Sequence, residues 1–417
     1  MSDATSDDWL RELDSTDPAS EVGWKTLLIT NQKTGVASGG VANAIIALRH
    51  APEWNGVLAF DQSAYGVVAR LKPPFEKCLD APFKWADHHD IQTAAWLQHQ
   101  GISVNNIIAG QALQTVAMEH PFHPIRDYLN SLKWDGARRI DGWLTRYLGV
   151  EPSEYVSAIG PRFLIGAVAR IFHPGGKNDT CPILEGEQGK LKSTAVRTLA
   201  GDAFFSDDIS ELGSKDSVLQ TRGVWIIELS ELDSMSRADI SRVKGFMTRQ
   251  VDRIRPPYGR RVIDAPRECV FIGTTNRDVY LKDETGGRRF WPVRVGKIDI
   301  DSLGRDRDQL WAEAGMRFNA GESWWLDTKE LSDLAAQEVQ SRYEGDPWDE
   351  PIKKWIEDRD DVSIPDVLEM CLAKPKGTWN QADQNRVARC LIAADWKRFR
   401  RREGGMNVWK YRPKPKN

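Results

Sequence analysis

Cys181-Pro-Ile-Leu-Glu-Gly-Glu-Gln-Gly-Lys-Leu-Lys-Ser-Thr194 joins three parts that phosphate chemistry needs in this order. A short apolar run, Pro182 to Leu184, reads as a strand and enters the turn Gly186-Glu187-Gln188-Gly189-Lys190. Lys192, Ser193 and Thr194 then open an apolar-periodic helix through Ala195, Val196 and Leu199. Amides of such a turn and of the helix N-terminus can cradle phosphates, the lysine can reach the β- and γ-phosphates, and the hydroxyl can hold Mg²⁺. The usual pattern has a glycine directly before the lysine; Leu191 stands there instead. The segment predicts an ATP-Mg²⁺ site spanning Gly186 to Thr194, with an altered loop.

Three further segments could complete that chemistry. Val224-Trp-Ile-Ile-Glu-Leu-Ser-Glu231 is an apolar strand carrying two carboxylates, Glu228 and Glu231, which suit orienting Mg²⁺ or polarising water. Its plain alternative is an exposed acidic turn after a strand. Phe271-Ile-Gly-Thr-Thr-Asn276 is another apolar strand with an amide at its tip, placed to position an attacking water. Gly286-Gly-Arg-Arg-Phe-Trp291 sets Arg288 and Arg289 on a glycine-rich turn, where guanidiniums could neutralise transition-state phosphate charge across a subunit boundary. Between these lies Asp252 to Ile263, a tight turn at Pro256-Pro257 and Gly259 flanked by Arg253, Arg255, Arg260 and Arg261. A basic hairpin fits a nucleic-acid backbone, and ion pairing inside the core is its rival reading, above all for Arg253 and Arg255.

The elements around these residues are those of an α/β protein. Residues 1–22 carry seven acidic side chains against Arg11 and are expected to be a disordered acidic tail. Residues 23–120 read as a mixed domain, with strands at Thr26 to Thr30 and Val57 to Asp61 and helices at Val41 to His50, Asp90 to Gln100 and Asn106 to Glu119. Residues 121–178 read as helical, and 179–345 as the nucleotide-binding core. Its candidate strands are Pro182 to Leu184, Val224 to Ile227, Val262 to Ile263 and Cys269 to Gly273, which predict a parallel sheet covered on both faces. Residues 350–417 read as three helices followed by a hairpin around Gly404-Gly405, a winged-helix arrangement.

Charge separates the two ends of the chain. Net charge is only −3, yet residues 386–417 carry eleven basic side chains against Asp395 and Glu403. Arg386, Arg389, Arg400 and Arg401, interleaved with aromatics, are candidate DNA contacts, and a solvated tail is the bland alternative. The 41% hydrophobic and 28% charged content is that of an ordinary globular protein. By inspection no apolar run approaches the roughly 20 residues of a bilayer span, so no membrane association is expected. Five scattered cysteines form no CxxC pair, which argues for a reducing cytoplasm, and the histidines lack companions at metal-ligand spacing.

In this order the segments resemble the virulence-associated protein E family, phage- and prophage-encoded ATPases similar to superfamily 3 helicases. The matching stretches are His123-Pro-Ile-Arg-Asp-Tyr-Leu with Lys133-Trp-Asp-Gly136, Leu184 to Gly189 with Lys192-Ser-Thr, and Gly223 to Asp233. Arg255 to Arg260, Phe271 to Asn276 and Lys282 to Pro292 continue the series. The resemblance implies an AAA+-like P-loop core that binds ATP and Mg²⁺ between subunits of a homo-oligomeric ring and couples hydrolysis to DNA. It implies Lys192 and Ser193 as phosphate and Mg²⁺ contacts, Glu228 and Glu231 as the acidic pair, Asn276 as the polar sensor, and Arg288 or Arg289 as the finger. It places a DNA-contacting hairpin over Arg255, Arg260 and Arg261, and implies a primase or other replication proteins as partners in a bacterial host cytoplasm. The chain departs from the strict pattern at Leu191 and in the three-residue spacing of Glu228 and Glu231, so the division of labour between those two stays open. A helicase or replication initiator is therefore expected. The alternatives are an ATP-binding, DNA-binding switch without processive unwinding and a DNA-binding protein with a vestigial core.

Overall fold

The computed structural model describes residues 23–209, 214–230, 237–255, 261–277, 289–342, 346–403 and 406–414. These fall into two units, one of 23–277 with 289–339 and one of 340–414.

The larger unit begins with helix α1 (Val41–His50), strands β1 (Leu58–Asp61), β2 (Gly66–Ala69) and β3 (Phe83–Lys84), helices α2 (Asp87–His99) and α3 (Asn106–Met118), and strand β4 (Pro121–Phe122). The strands form one sheet in the order β3-β2-β1-β4. Leu48, Trp54, Leu97 and Leu113 fill the core between sheet and helices. The apolar pattern starts these helices where polar side chains can satisfy the first amides: Asn105 Oδ1 accepts from Ile108 N, and His89 Nδ1 from Ala86 N. The strand expected at Thr26 to Thr30 is absent. Trp24–Leu27 forms a 3₁₀ turn that buries Trp24, and only Thr30 makes a bridge, to Ala37. Thr26 Oγ1 turns back to Gly23 O, a local bond that competes with strand pairing.

Three helices lead into the central sheet: α4 (Pro124–Ser131), α5 (Trp143–Leu148) and α6 (Glu154–Phe172). His123 caps α4 by accepting from Arg126 N, and its other ring nitrogen donates to Glu268 at 3.1 Å. Lys133-Trp-Asp-Gly136 shapes a turn. Asp135 takes Ala137 N and a bidentate Arg139, which holds its carboxyl down at about 2. The 19-residue α6 is long and apolar enough to cross a bilayer, which corrects the inspection of apolar runs above. Arg162 and Arg170 interrupt its run to the eye, and most of it is buried in the core with Ile125, Trp143 and Trp311.

The central sheet has five strands, all parallel: β5 (Cys181–Glu185), β6 (Phe205–Ser206), β7 (Ile226–Leu229), β10 (Val270–Thr275) and β11 (Phe290–Arg294), in the order β11-β5-β10-β7-β6. Apolar runs of four to six residues, buried along their whole length in β5, β7 and β10, give the central strands. Helices α7 (Lys192–Ala200), α8 (Lys215–Gln220), α9 (Arg237–Met247), α10 (Ile300–Asn319) and α11 (Lys329–Ser341) accompany the strands. The mixed α/β class and parallel sheet match expectation; one strand does not. Of the stretch at Val262 and Ile263, only Ile263 is in a strand, β9 (Ile263–Pro266), which pairs antiparallel with β8 (Val251–Ile254) in a separate ribbon. Alternating burial, rather than a continuous apolar run, marks β8 as a ribbon strand.

In the smaller unit, helix α12 (Asp349–Ile356), a short helix α13 (Ile364–Asp366) running into a π turn (Val367–Cys371), and helix α14 (Gln381–Ala393) precede the ribbon of β12 (Trp396–Glu403) and β13 (Met406–Pro413). Val362 adds an antiparallel bridge to Tyr411. Ile352, Val367, Leu368, Val387, Leu391, Trp396 and Tyr411 form a core of this unit's own.

Candidate functional site

The chain leaves β5 at buried Glu185 and turns at Gly186, whose φ of +154° L side chains rarely adopt. A Cβ at Gly186 would also come within 3.2 Å of Lys190 Cδ and Val295 Cγ2. Gly189 turns the loop again at φ +85°, with open space around it. Leu191 then adopts φ +62°, ψ +24° at the helix N-cap, the left-handed conformation for which glycine is the ordinary choice. A leucine there costs about 1–2 kcal/mol, and its side chain is half exposed, so core packing does not explain the tolerance. Helix α7 starts at Lys192, and its N-cap Leu191 supplies no side-chain cap among the described residues.

Lys192 is 7% exposed and its Nζ donates to Gly186 O at 2.5 Å, Glu187 O at 2.9 Å and Asn276 Oδ1 at 3.0 Å. Ser193 Oγ donates to Glu228 Oε1 at 2.6 Å. Thr274 Oγ1 donates to the same oxygen at 2.7 Å. Glu228 is 2% exposed, and its second oxygen, Oε2, is buried with no hydrogen-bond partner among the described residues. A pocket of about 360 Å³ opens here, walled by the loop from Gln188 to Thr194 and by the tips Ser230 and Thr274 to Asn276.

Sheet topology explains the convergence. β5 lies between β10 and β11, and the chain crosses from β5 toward the β6 edge but from β10 to the opposite edge, β11. Such a reversal opens a crevice at the carboxyl ends of the strands, where the loop after β5 sits. Ile272 is in register with Glu228, so the two-residue period puts Thr274 on the same sheet face as that carboxylate. Thr274 was within the quoted strand but not singled out; the alternation was the signal that could have found it.

The sequence-derived candidates divide by position. Lys192, Ser193, Glu228 and Asn276 meet at the loop. Glu231, Arg260 and Arg288 lie outside the described residues. Arg289 is described and lies away from the loop, just before the pair Phe290–Cys181 that begins β11 and β5. The loop follows the other end of β5, five residues on, or about 16 Å away at the usual strand rise. Arg289 Nε is 3.3 Å from Asp179 Oδ2.

Arg255 and Arg261 flank the tip of the β8–β9 ribbon and are exposed, and Arg253 faces Asp264 at 3.3 Å. The base of this ribbon is held by a pair that sequence reading missed. Arg267 donates to both oxygens of Asp252 at 2.7 Å and to Phe246 O, and both side chains are almost fully buried. Arg170, 1% exposed, bonds the carbonyls of Arg267 and Asn178; burial lowers its pKa from the usual value. In the smaller unit, Arg386 is clamped by Asp346 at 2.7 Å and lies over Trp348, and Arg401 pairs with Asp361. Arg400 lies over Trp409, and Arg389 is on α14.

A family model described as the virulence-associated protein E-like domain matches residues 129–344, just over half of the chain. No curated protein matches the chain. Among solved structures, an apo structure of the C-terminal region of NrS-1 is similar at 14% identity, covering 86% of this chain and 96% of that one with a TM-score of 0.45. Two A-form apo structures of the same region are each 12% identical and cover 85% of this chain and 95% of theirs, with TM-scores of 0.41 and 0.45.

Proposed function

Because the chain belongs to the virulence-associated protein E-like family, we propose that it is an ATP-dependent motor on DNA, a replicative helicase or replication initiator of a phage or mobile element. The observation that carries this reading is the convergence of Lys192, Ser193, Glu228 and Asn276 on one glycine-bearing loop at the carboxyl edge of a parallel sheet. In this reading residues 179–345 are an AAA+-like P-loop core and residues 350–417 a winged-helix module.

The loop amides and Lys192 bind the phosphates of ATP. Ser193 Oγ and Oε2 of Glu228, which has no partner among the described residues, suit a hard cation, and a bound Mg²⁺ would neutralise charge on the β- and γ-phosphate oxygens. Asn276 takes Lys192 on its Oδ1, so its amide N–H groups are the donors left to orient water. Hydrolysis joins a water oxygen to the γ-phosphorus, breaks the bridging P–O bond, and sends the water's proton to a carboxylate, for which Glu228 and Glu231 are the candidates. Arg289, at the far edge of the sheet, suits a neighbour's site rather than its own, which implies a homo-oligomeric ring. Arg255, Arg260 and Arg261 would contact DNA from the β8–β9 ribbon. The protein would work in a bacterial host cytoplasm with a primase or other replication proteins.

One observation favours the second reading, an ATP-binding and DNA-binding regulator without processive unwinding. The Lys192 ammonium already holds two carbonyls of its own loop and Asn276, and Leu191 stores strain beside it, so nucleotide must rearrange the loop to bind. ATPase rates with and without single-stranded DNA, for wild type and Lys192→Ala, separate the readings. The motor predicts a DNA-stimulated rate lost in Lys192→Ala. ATP binding with no DNA-dependent turnover would support the regulator, and a rate that survives Lys192→Ala would remove both.

A further inference from the structure

We infer that one face of the β12–β13 ribbon, carrying Arg398, Arg400 and Trp409, grips the phosphate backbone of duplex DNA. The inference rests on the DNA-acting reading above and deepens it by naming a surface and the form of DNA it takes.

The ribbon's register sorts its side chains. Arg398 pairs with Tyr411 and Arg400 with Trp409, which places these four on one face together with Trp396 and Arg402. Lys397, Phe399, Arg401, Lys410 and Arg412 occupy the other. On the first face Trp396 and Tyr411 are buried in the core at the ribbon's base. Beyond them the face leaves the core: Arg398, Arg400 and Arg402 are exposed, and Trp409 is 43% exposed. The base of the ribbon is thus part of the unit's core, and its distal half carries the exposed arginines around the half-exposed indole.

The two faces treat their cations differently. On the second face Asp361 takes both Arg401 and Lys410, the latter at 2.9 Å, and a single arginine, Arg412, lies over a ring, that of Phe399. Arg386 on α14 is likewise spent on Asp346. Among the described residues Arg398 and Arg400 have no carboxylate partner; their guanidinium carbons lie 4.0 and 4.5 Å from the Trp409 ring centroid. A carboxylate would neutralise a guanidinium and consume its donors. An aromatic ring restrains the side chain by about 0.5–1 kcal/mol and leaves its charge and N–H groups for an incoming anion. Two restrained arginines on alternate residues of one strand therefore form a preorganised polyanion contact, with less side-chain entropy left to lose on binding. A two-stranded ribbon also fits the roughly 12 Å major groove of a duplex, with phosphates on either side. The contact proposed is with backbone charge, which carries no sequence information of its own.

The test is binding of the full chain, without nucleotide, to a labelled mixed-sequence duplex and to its single strand across a salt series. Arg398→Gln with Arg400→Gln should weaken duplex binding about tenfold and reduce the slope of log affinity against log salt by about two. Arg398→Lys with Arg400→Lys should keep most of the slope, since lysine keeps the charge. Arg386→Gln should lower the melting temperature and leave the slope alone. DNA-free ATPase should be unchanged in the Arg398→Gln, Arg400→Gln variant, so failure of the ATPase reading appears separately as an inactive wild type. A normal affinity and slope in that variant, a larger loss of slope in Arg386→Gln, or a loss of single-strand binding in the Arg398→Gln, Arg400→Gln variant as large as its loss of duplex binding would overturn the assignment.

Discussion

Ser193 Oγ and Glu228 Oε1 are 2.6 Å apart, joining the first turn of α7 to the third residue of β7. Because Thr274 also donates to Oε1, that oxygen takes two hydroxyls, while buried Oε2 has no partner among the described residues. Glu228→Gln keeps an acceptor for both hydroxyls and changes only Oε2. Hydrolysis should fall about 10²–10⁴-fold while ATP binding and the melting temperature stay close to wild type. Turnover and nucleotide affinity measured on the same preparation check this. A variant that hydrolyses ATP at the wild-type rate would remove Glu228 from the mechanism.

The three unusual backbone positions of the loop should differ in what they tolerate. At Gly186 a methyl group meets both an unfavourable φ and two side chains at 3.2 Å, so Gly186→Ala should be the most damaging. At Gly189 the space is open and only φ is strained, costing about 1 kcal/mol in Gly189→Ala. Leu191→Gly relieves about 1–2 kcal/mol of strain and loses about 0.5–1 kcal/mol to glycine's freedom in the unfolded chain, for a net change near zero. Melting temperatures should therefore rank Leu191→Gly at or slightly above wild type, then Gly189→Ala, then Gly186→Ala. ATP affinity should follow the same ranking. A sharp gain in ATP affinity in Leu191→Gly would mean the loop is partly disabled and would favour the regulator.

How much of this was legible depended on range. Lys192, Ser193, Glu228 and Asn276 could be read because each sits on or just after a short apolar run, and fully buried parallel strands leave that mark in the sequence. β6, two residues at the sheet edge, leaves no such mark, and β11 mixes Pro292 and Arg294 into its five. Arg386 and Arg401 looked like DNA contacts by composition, yet each is held by an aspartate 40 residues earlier in the chain. Asp252 and Arg267 were invisible for the same reason: a pair 15 residues apart forms only because β8 and β9 fold back on one another. Local pattern reports burial well and long-range pairing poorly, so charge alone overstated the number of free cations.

His89 should make folding stability sensitive to mild acid. Its ring is buried between Phe83 and Trp85, and its Nδ1 accepts from Ala86 N. Burial lowers its pKa, aided by His88 and opposed by Glu76. A histidine whose folded pKa is depressed binds fewer protons folded than unfolded near its ordinary value of 6.5. Its contribution is therefore intact above that value and is lost as pH falls below it toward the folded pKa. Glu76, held below its ordinary 4.5 by the amides of Leu79 and Cys78, loses its contribution only at more acid pH, so the two windows separate. His89→Asn, which keeps an acceptor for Ala86 N, should flatten the decline in urea-unfolding free energy between about pH 7 and 5. Identical pH profiles for wild type and variant would remove His89 as the cause.

Arg289 offers the sharpest test of assembly, because its own loop lies about 16 Å away along β5. If it serves a neighbouring subunit, Arg289→Ala should lower turnover by about 10³-fold or more without loosening ATP binding to the same chain. Lys192→Ala should be inactive for the opposite reason, having lost its own phosphate contact while still offering an intact Arg289. Mixing the two should restore sites in which one subunit supplies Lys192 and the next supplies Arg289. With random assembly from equal amounts, on the order of a quarter of interfaces would carry both. Recovery toward that fraction, measured as ATPase rate over a titration of one variant into the other, supports catalysis between subunits. A mixture no more active than its components would confine Arg289 to its pair with Asp179 and remove the structural argument for a ring.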